Sequence, residues 1–338
     1  MQHELTDGPL LDENGNLSEA GFAYSLKKEY NRHAIKGLKS RIKEWDYYYI
    51  GNKNYGIALT VADNSYMWMV SASYLDFNRK INITKSPLGL FSFGRFHMPN
   101  SSKSGDVHFA RKNNHFIFKH EGNKRHLLVH LDNFKGKEAL DVDVYLTKTN
   151  ESSMVIATPF KKKGHFYYNQ KINLLKAHGY FKIGLMVYPL DDNYGVLDWG
   201  RGIWTYKNTW YWCSASSTYN NERIGWNLGY GFGDTSSASE NMFFYRDKAY
   251  KLNDVQFNIP KKKNKDDFLS PWRITSSSGD INMTFKPILD RHADSNALLI
   301  RSNQHQVFGL FSGTIKINNK EISFVDVPGF AEKVMNRW

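Results

Sequence analysis

The feature that most constrains this chain is the spacing of its β-type runs. Short stretches rich in aromatic and β-branched residues recur at roughly 8–12-residue intervals, separated by Gly, Asn, Asp and Ser, with no helical period between them. Runs 45–50 and 57–61 flank Gly51-Asn-Lys-Asn as a hairpin, and Asp63-Asn-Ser turns the chain into 66–74. Runs 115–119 and 126–131 flank Glu121-Gly-Asn-Lys in the same way, and 142–147, 154–156, 166–168 and 181–188 continue the style. The second half repeats it, from 209–215 through 224–232 and 281–287 to 322–325. Such a chain is all-β, an antiparallel sandwich or barrel.

At 338 residues it exceeds what one core usually serves, so two β-units are expected. Residues 1–44 read as a peripheral arm, with a turn at Asp12-Glu-Asn-Gly-Asn and one weak helical face through Ile35, Leu38 and Ile42. Residues 45–190 form the first unit, and 191–338 the second, with the boundary near Leu190-Asp-Asp-Asn-Tyr.

Charge and cysteine content narrow the functional classes. The net charge of +12 comes from lysines spread along the chain, with short runs only at Lys161–163 and Lys261–263. No nucleic-acid reader motif accompanies them, so no specific nucleic acid is expected; weak attraction to an anionic membrane surface is. A single cysteine, Cys213, excludes an intramolecular disulfide framework and reads as a buried apolar group. No apolar run reaches the ~20 residues of a membrane span, and the polar start Met1-Gln-His-Glu is unlike a secretory signal, so a cytoplasmic location is expected.

Chemistry-bearing residues concentrate between Leu197 and Tyr245. Asp198, Arg201 and Glu240 lie among Trp199, Trp210 and Trp212, in segments that otherwise read as strand. An apolar lining with a few polar anchors suits a small-molecule pocket. Alternation places Trp226, Leu228, Tyr230 and Phe232 on one face and Asn227, Gly229, Gly231 and Gly233 on the other, a face with room for a ligand or a second backbone. Trp210, Trp212, Ser214 and Ser216 likewise share a face, which is either a pocket wall or a barrel core. Asp198 and Arg201 are either a structural ion pair closing a turn or an acid with its orienting charge. A carboxyl enclosed by aromatics has its pKa raised and can donate a proton to an alkene, enol ether or leaving group. Asn227 and Asn241 would orient a polar head, and Glu332 is a third acid. Gly229-Tyr-Gly-Phe-Gly has the wrong spacing for a dinucleotide fingerprint. His126 and His130 share a strand face, but no regular carboxylate partner marks a metal site, so no metal and no cofactor are expected.

Those segments also carry a resemblance. Leu197-Asp-Trp-Gly-Arg-Gly, Trp210-Tyr-Trp-Cys-Ser-Ala-Ser, Asn227-Leu-Gly-Tyr-Gly with Ser239-Glu-Asn, Pro271-Trp, Phe285-Lys-Pro, Phe308-Gly-Leu-Phe-Ser-Gly and the closing Gly329-Phe-Ala-Glu resemble, in that order, the domain of unknown function 2804 family. Gly15-Asn-Leu and Lys43-Glu-Trp-Asp-Tyr-Tyr match its opening, so the likeness covers nearly the whole chain. The family is remotely similar to tandem lipocalin-like proteins such as carotenoid 1,2-hydratase and tocopherol cyclase. That relation implies two calycin barrels, a cavity for a hydrophobic or amphipathic small molecule, and acid–base chemistry without nucleotide or metal. Two functions follow: a hydratase, cyclase or isomerase using Asp198, Arg201 and Glu240, or a carrier whose tryptophans bury a ligand unchanged. A carbohydrate-active protein is a third, since Trp and Tyr also stack on sugars.

Overall fold

The computed structural model describes residues 2–297 and 300–337 and is built almost wholly of antiparallel strand. Two large sheets account for it. The first has fourteen strands, and its main path runs Ile81–Lys85, Met67–Asp76, Tyr55–Asp63, Lys43–Gly51, Tyr194–Ile203, Phe166–Ile183, Glu138–Lys148, Lys124–Lys135, Asn114–Glu121, Val107–Arg111. It curls until side chains from its two ends meet. Lys85 Nζ donates to Asp132 O at 2.7 Å, and the Trp68 and Phe109 rings lie 5.2 Å apart. The second sheet has nine strands, ordered Lys248–Lys251, Met242–Tyr245, Glu222–Tyr230, Lys207–Tyr219, Lys320–Arg337, Ile300–Ile317, Ile281–Ala297, Trp272–Thr275, Gln256–Asn258. The all-β expectation holds, and the hairpins at Gly51 and Glu121 form as read.

Period-two alternation decides what each strand buries. In Lys43–Gly51, Tyr48 and Ile50 enter the core inside the first curl, whereas Tyr47 and Tyr49 point outward. In Lys207–Tyr219, Cys213 and Ala215 enter the second core and Trp212 points outward. The outward faces meet in a seam between the sheets where Tyr47, Tyr49, Trp212, Phe308 and Phe330 pack together. Trp210 and Trp212 therefore form a wall between the sheets and are not barrel core.

A kink pins the seam. Phe166–Ile183 shifts register between Ile172 and Leu175, with Leu174 in the left-handed region at φ +59°. The bulge drives Asn173 into the second sheet, where its Nδ2 donates to Ser214 Oγ at 2.8 Å and Trp226 O at 3.1 Å.

Three expectations are corrected. The strand Tyr194–Ile203, expected beyond the boundary at 190, hydrogen-bonds on both sides inside the first sheet, and the second sheet begins at Lys207. The region 181–188 is not one strand: Gly184, at φ +59°, turns Phe166–Ile183 back into Met186–Pro189. The N-terminal arm is neither peripheral nor α-helical. Only two 3-10 turns form, Arg32–Ala34 and Lys39–Arg41, and Leu38 stays exposed. Leu5, Leu10 and Tyr30 enter the first core, Gly21–Ala23 joins the sheet, and Gln2 Nε2 reaches Leu252 O of the second sheet at 2.9 Å. The arm thus packs on the first sheet through its apolar residues and reaches the second through Gln2 and through Phe22, which clusters with Met242 and Phe244. Among the described residues, no helix is long and apolar enough to cross a membrane.

Candidate functional site

The seam gathers charged groups from both sheets. From the first, Lys171 and Asp198 sit directly opposite each other on adjacent strands, so their outward side chains meet in a buried ion pair at 2.8 Å. Asn169 Nδ2 donates to Asp198 Oδ1 at 2.6 Å and fixes that carboxylate further. From the second, Glu332 lies between Trp212 on one neighbouring strand and Gln306 on the other. Its carboxyl accepts from Trp210 Nε1 at 3.0 Å, Gln306 Nε2 at 3.2 Å and Gln304 Nε2 at 3.3 Å. The two walls touch through chemistry as well as packing. Lys171 Nζ lies 3.7 Å from the centre of the Trp212 ring, and Tyr47 donates its hydroxyl to Gln306 Oε1 at 3.3 Å. A desolvated cation–π contact of this kind is worth about 2 kcal/mol.

Glu240 completes the set at the edge of the seam. Gly229 makes room for it: a Cβ there would lie 2.7 Å from Glu240 Oε1. The stripped strand face is thus filled by a carboxyl group. Asn227 holds the arrangement, accepting from Trp212 Nε1 at 2.6 Å and donating to Glu240 O at 2.8 Å.

Burial dominates the electrostatics. It pushes the Glu332 carboxyl up to about 7, against the hydrogen bond from Trp210 and the Lys171 ammonium, which pull it down; the Asp198 charge adds repulsion. Burial also raises Glu240, with Lys171 and Asn227 opposing and Asp198 assisting. The Tyr167 hydroxyl is driven well above its usual range by burial and by the charges of Asp198, Glu240 and Glu332, which places it among the three acids. Trp210, Glu240 and Gln304 keep partial exposure, so this edge is where solvent reaches the acids. A void of about 10 Å³, lined by Tyr49, Val196, Ser214 and Phe330, lies between the two sheets and has room for about one water.

Not every expected site residue is here. Asp198, Glu240, Glu332, Trp210, Trp212 and Asn227 are brought together. Arg201 and Trp199 are not: odd positions of Tyr194–Ile203 face inside the first curl. Arg201 is fully buried, 3.0 Å from Asp46 Oδ1, with NH1 donating to Trp45 O at 2.7 Å and NH2 to Pro99 O at 2.9 Å. Its guanidinium lies over the Trp199 ring at 4.3 Å. Three residues apart on one strand, Asp198 and Arg201 point to opposite faces, so they are neither an ion pair nor an acid with its orienter. Asn241 is a pin, accepting from Gly229 N at 2.7 Å and donating to Asn253 O at 2.7 Å. Tyr230 stacks on Tyr211 at 4.6 Å at the edge of the second core. Phe232 leaves the face of Trp226 and Leu228, because Gly231 at φ +94° redirects the chain and sends the ring against Tyr167 and Trp210.

The histidines find carboxylates after all. His126 pairs with Asp143 at 2.7 Å and His130 with Asp141 at 2.6 Å, across neighbouring strands. Among the described residues, no group of three or more His, Cys, Asp or Glu has the geometry to hold a metal ion. Cys213 is buried, and its thiol is pushed well above the usual range. Sequence reasoning missed Lys171, Gln304, Gln306 and Tyr167. Phe166–Ile183 carries three lysines, Lys171, Lys176 and Lys182, and nothing in the sequence marks Lys171 as the buried one whose partner lies across the ladder.

Comparison with known proteins bears on the fold. Over 96% of this chain and 98% of the other, the structure is similar to a candidate AttH from Nitrosomonas europaea, with a TM-score of 0.58 and 12% identity. It is also similar to kievitone hydratase from Nectria haematococca over 92% of this chain and 96% of that one, with a TM-score of 0.52 and 14% identity. Both are lipocalin-like folds, and this chain shares that architecture, as the curled sheets show. No functionally curated protein matches the sequence. The model of the domain of unknown function 2804 family matches residues 2–338, and the chain belongs to that family.

Proposed function

We propose that the protein is an enzyme of the hydratase, cyclase or isomerase type that works by side-chain acid–base chemistry on a hydrophobic or amphipathic small molecule, with Glu332 as the proton donor. One observation carries the reading. A buried carboxyl pushed up to about 7 lies in an aromatic seam, within the field of the Asp198 carboxylate. An acid near neutrality is suited to general-acid catalysis.

The step balances simply. The Glu332 O–H proton passes to one carbon of an alkene or enol ether, and the bonding pair stays on the carboxylate. The cationic carbon that forms is stabilised by the indole faces, as the Lys171 ammonium already is over Trp212. Water then adds to that carbon and yields a proton to Glu240 at the exposed edge; loss of a neighbouring proton gives isomerisation instead. Asp198, kept in place by Lys171 and Asn169, repels the Glu332 negative charge and so favours the acid form. A carrier would need the aromatic walls but has no use for an acid tuned in this way.

The test is incubation with a panel of unsaturated apolar compounds in deuterium oxide, read by mass spectrometry. Deuterium in the product, lost in a folded Glu332→Gln variant, supports the reading. Stoichiometric retention of an unchanged compound by both proteins would make the chain a carrier.

A further inference from the structure

A second feature lies at the open end of the first sheet, away from the seam. The segment after Ile81–Lys85 leaves Leu88, Leu90, Phe91 and Phe93 at 59%, 67%, 55% and 49% exposure. Phe91 and Phe93 stack on each other at 5.8 Å and 13°. Both stand in the left-handed region, at φ +60° and +48°, a conformation that bulky side chains rarely adopt. The chain therefore carries backbone strain to place apolar rings in water, and strain of that kind persists only where surrounding structure enforces it.

The enforcing structure is explicit. Phe91 N donates to Tyr66 O at 2.9 Å and Phe93 N to Ser65 O at 3.0 Å. Between them, the buried Ser92 donates Oγ to the buried Asp63 at 2.6 Å, and Phe96 N reaches the same carboxylate at 3.3 Å. Trp68 packs beneath Gly89 and carries the exposed Arg111 guanidinium at 5.7 Å. The loop is a rigid display and not a slack connection. The stretch of chain that carries it is basic: from Lys85 to Lys112 it holds five lysines and arginines and one acid, Asp106, in a chain of net charge +12. Arg95 lies exposed two residues past Phe93, whereas the Arg32 guanidinium that packs against Gly94 is paired with Glu44.

We infer that the Leu88–Phe93 loop is a docking surface for an anionic phospholipid bilayer. The two rings and two leucines enter the headgroup boundary while Arg95 and Arg111 meet lipid phosphates. Apolar insertion combined with basic charge is the pairing that reversible bilayer binding requires. A convex tip of four side chains suits a fluid surface, whereas a protein partner would need roughly 800 Å² of matched contact on each side.

The test is co-sedimentation of the full chain with vesicles of phosphatidylglycerol and phosphatidylcholine, against vesicles of phosphatidylcholine alone. The informative variant is Phe91→Asn with Phe93→Asn, since asparagine tolerates the left-handed region and relieves the strain while removing both rings. Leu185→Asn is the control, because Leu185 is 98% exposed on the hairpin at the opposite end of the sheet. Binding to the anionic vesicles alone, reduced about ten-fold or more in the double variant and unchanged in the control, is the expected result. Near-UV circular dichroism and the melting temperature confirm that the variant is folded. Absence of binding, or equal binding by wild type and double variant, overturns the inference. So does a concentration-dependent dimer that the double variant abolishes in the absence of lipid, which would make the loop a protein interface.

Discussion

Two buried ion pairs grow from one strand, Tyr194–Ile203, and serve opposite ends. On the inner face, Arg201 is fully sealed and its guanidinium is consumed by Asp46, two carbonyls at the Trp45 and Pro99 positions, and the Trp199 ring. On the outer face, Asp198 pairs with Lys171, but their field extends to Glu332 on the strand Lys320–Arg337 and to Glu240 in the connection before Met242–Tyr245. The inner pair is a closed structural unit. The outer pair sets the proton affinity of its neighbours. Burial and charge alone do not separate the two; what separates them is whether a group remains that can change protonation near neutral pH.

Two substitutions break the contrast most sharply. Arg201→Ala leaves Asp46 buried and uncompensated, so chemical denaturation should show a loss of about 3–5 kcal/mol. Glu332→Gln, by contrast, should lower turnover by about 10²–10⁴-fold with the fold retained, the usual weight of a general acid. A stable but inactive Arg201→Ala protein would move the chemistry inside the first sheet.

The pH dependence of stability sharpens it next. Glu332 titrates near 7 when folded, against an ordinary value of 4.5. Between those values the folded protein holds a proton that the unfolded chain gives up. Its contribution to stability therefore falls as pH rises through that window, by up to about 3 kcal/mol, and is flat above it. Denaturation of wild type and Glu332→Gln across pH 4–8 should show the wild-type slope exceeding that of the variant. Taking the difference cancels the buried Lys43 and Lys251, which burial lowers to about 7 in both proteins.

Smaller shifts of opposite sign test who tunes the acid. If activity needs protonated Glu332, it falls as pH rises through about 7. Trp210→Phe removes a hydrogen bond that favours the charged form and should move that limb up by about one unit. Asp198→Asn removes repulsion and should move it down by roughly half a unit. Shifts in the same direction would show general loosening of the seam.

How much of this was legible in the chain follows from which physics is local. Strand runs and turn residues announced themselves, because alternation and turn chemistry are carried by neighbouring residues. Asp198, Glu240, Glu332 and the Trp210–Trp212 wall stood out as polar groups in aromatic strands. Their partners did not. Lys171 meets Asp198 through cross-strand register, and Gln304 and Gln306 meet Glu332 from a neighbouring strand, relations that no spacing encodes. Arg201 parts from Asp198 for a related reason: closeness in sequence suggested closeness in space, while strand parity put it on the other face. Phe232 escaped its face because one glycine turned the backbone beyond the strand end.

Whether Glu332 is an acid poised near neutrality in the seam is read directly, without a substrate, by infrared difference spectroscopy across a pH titration. A protonated carboxyl band that disappears with a midpoint near 7 and is absent from Glu332→Gln is the expected result. A spectrum in which every carboxyl of the wild-type protein is ionised by about pH 5, the ordinary range for exposed acids, would contradict it.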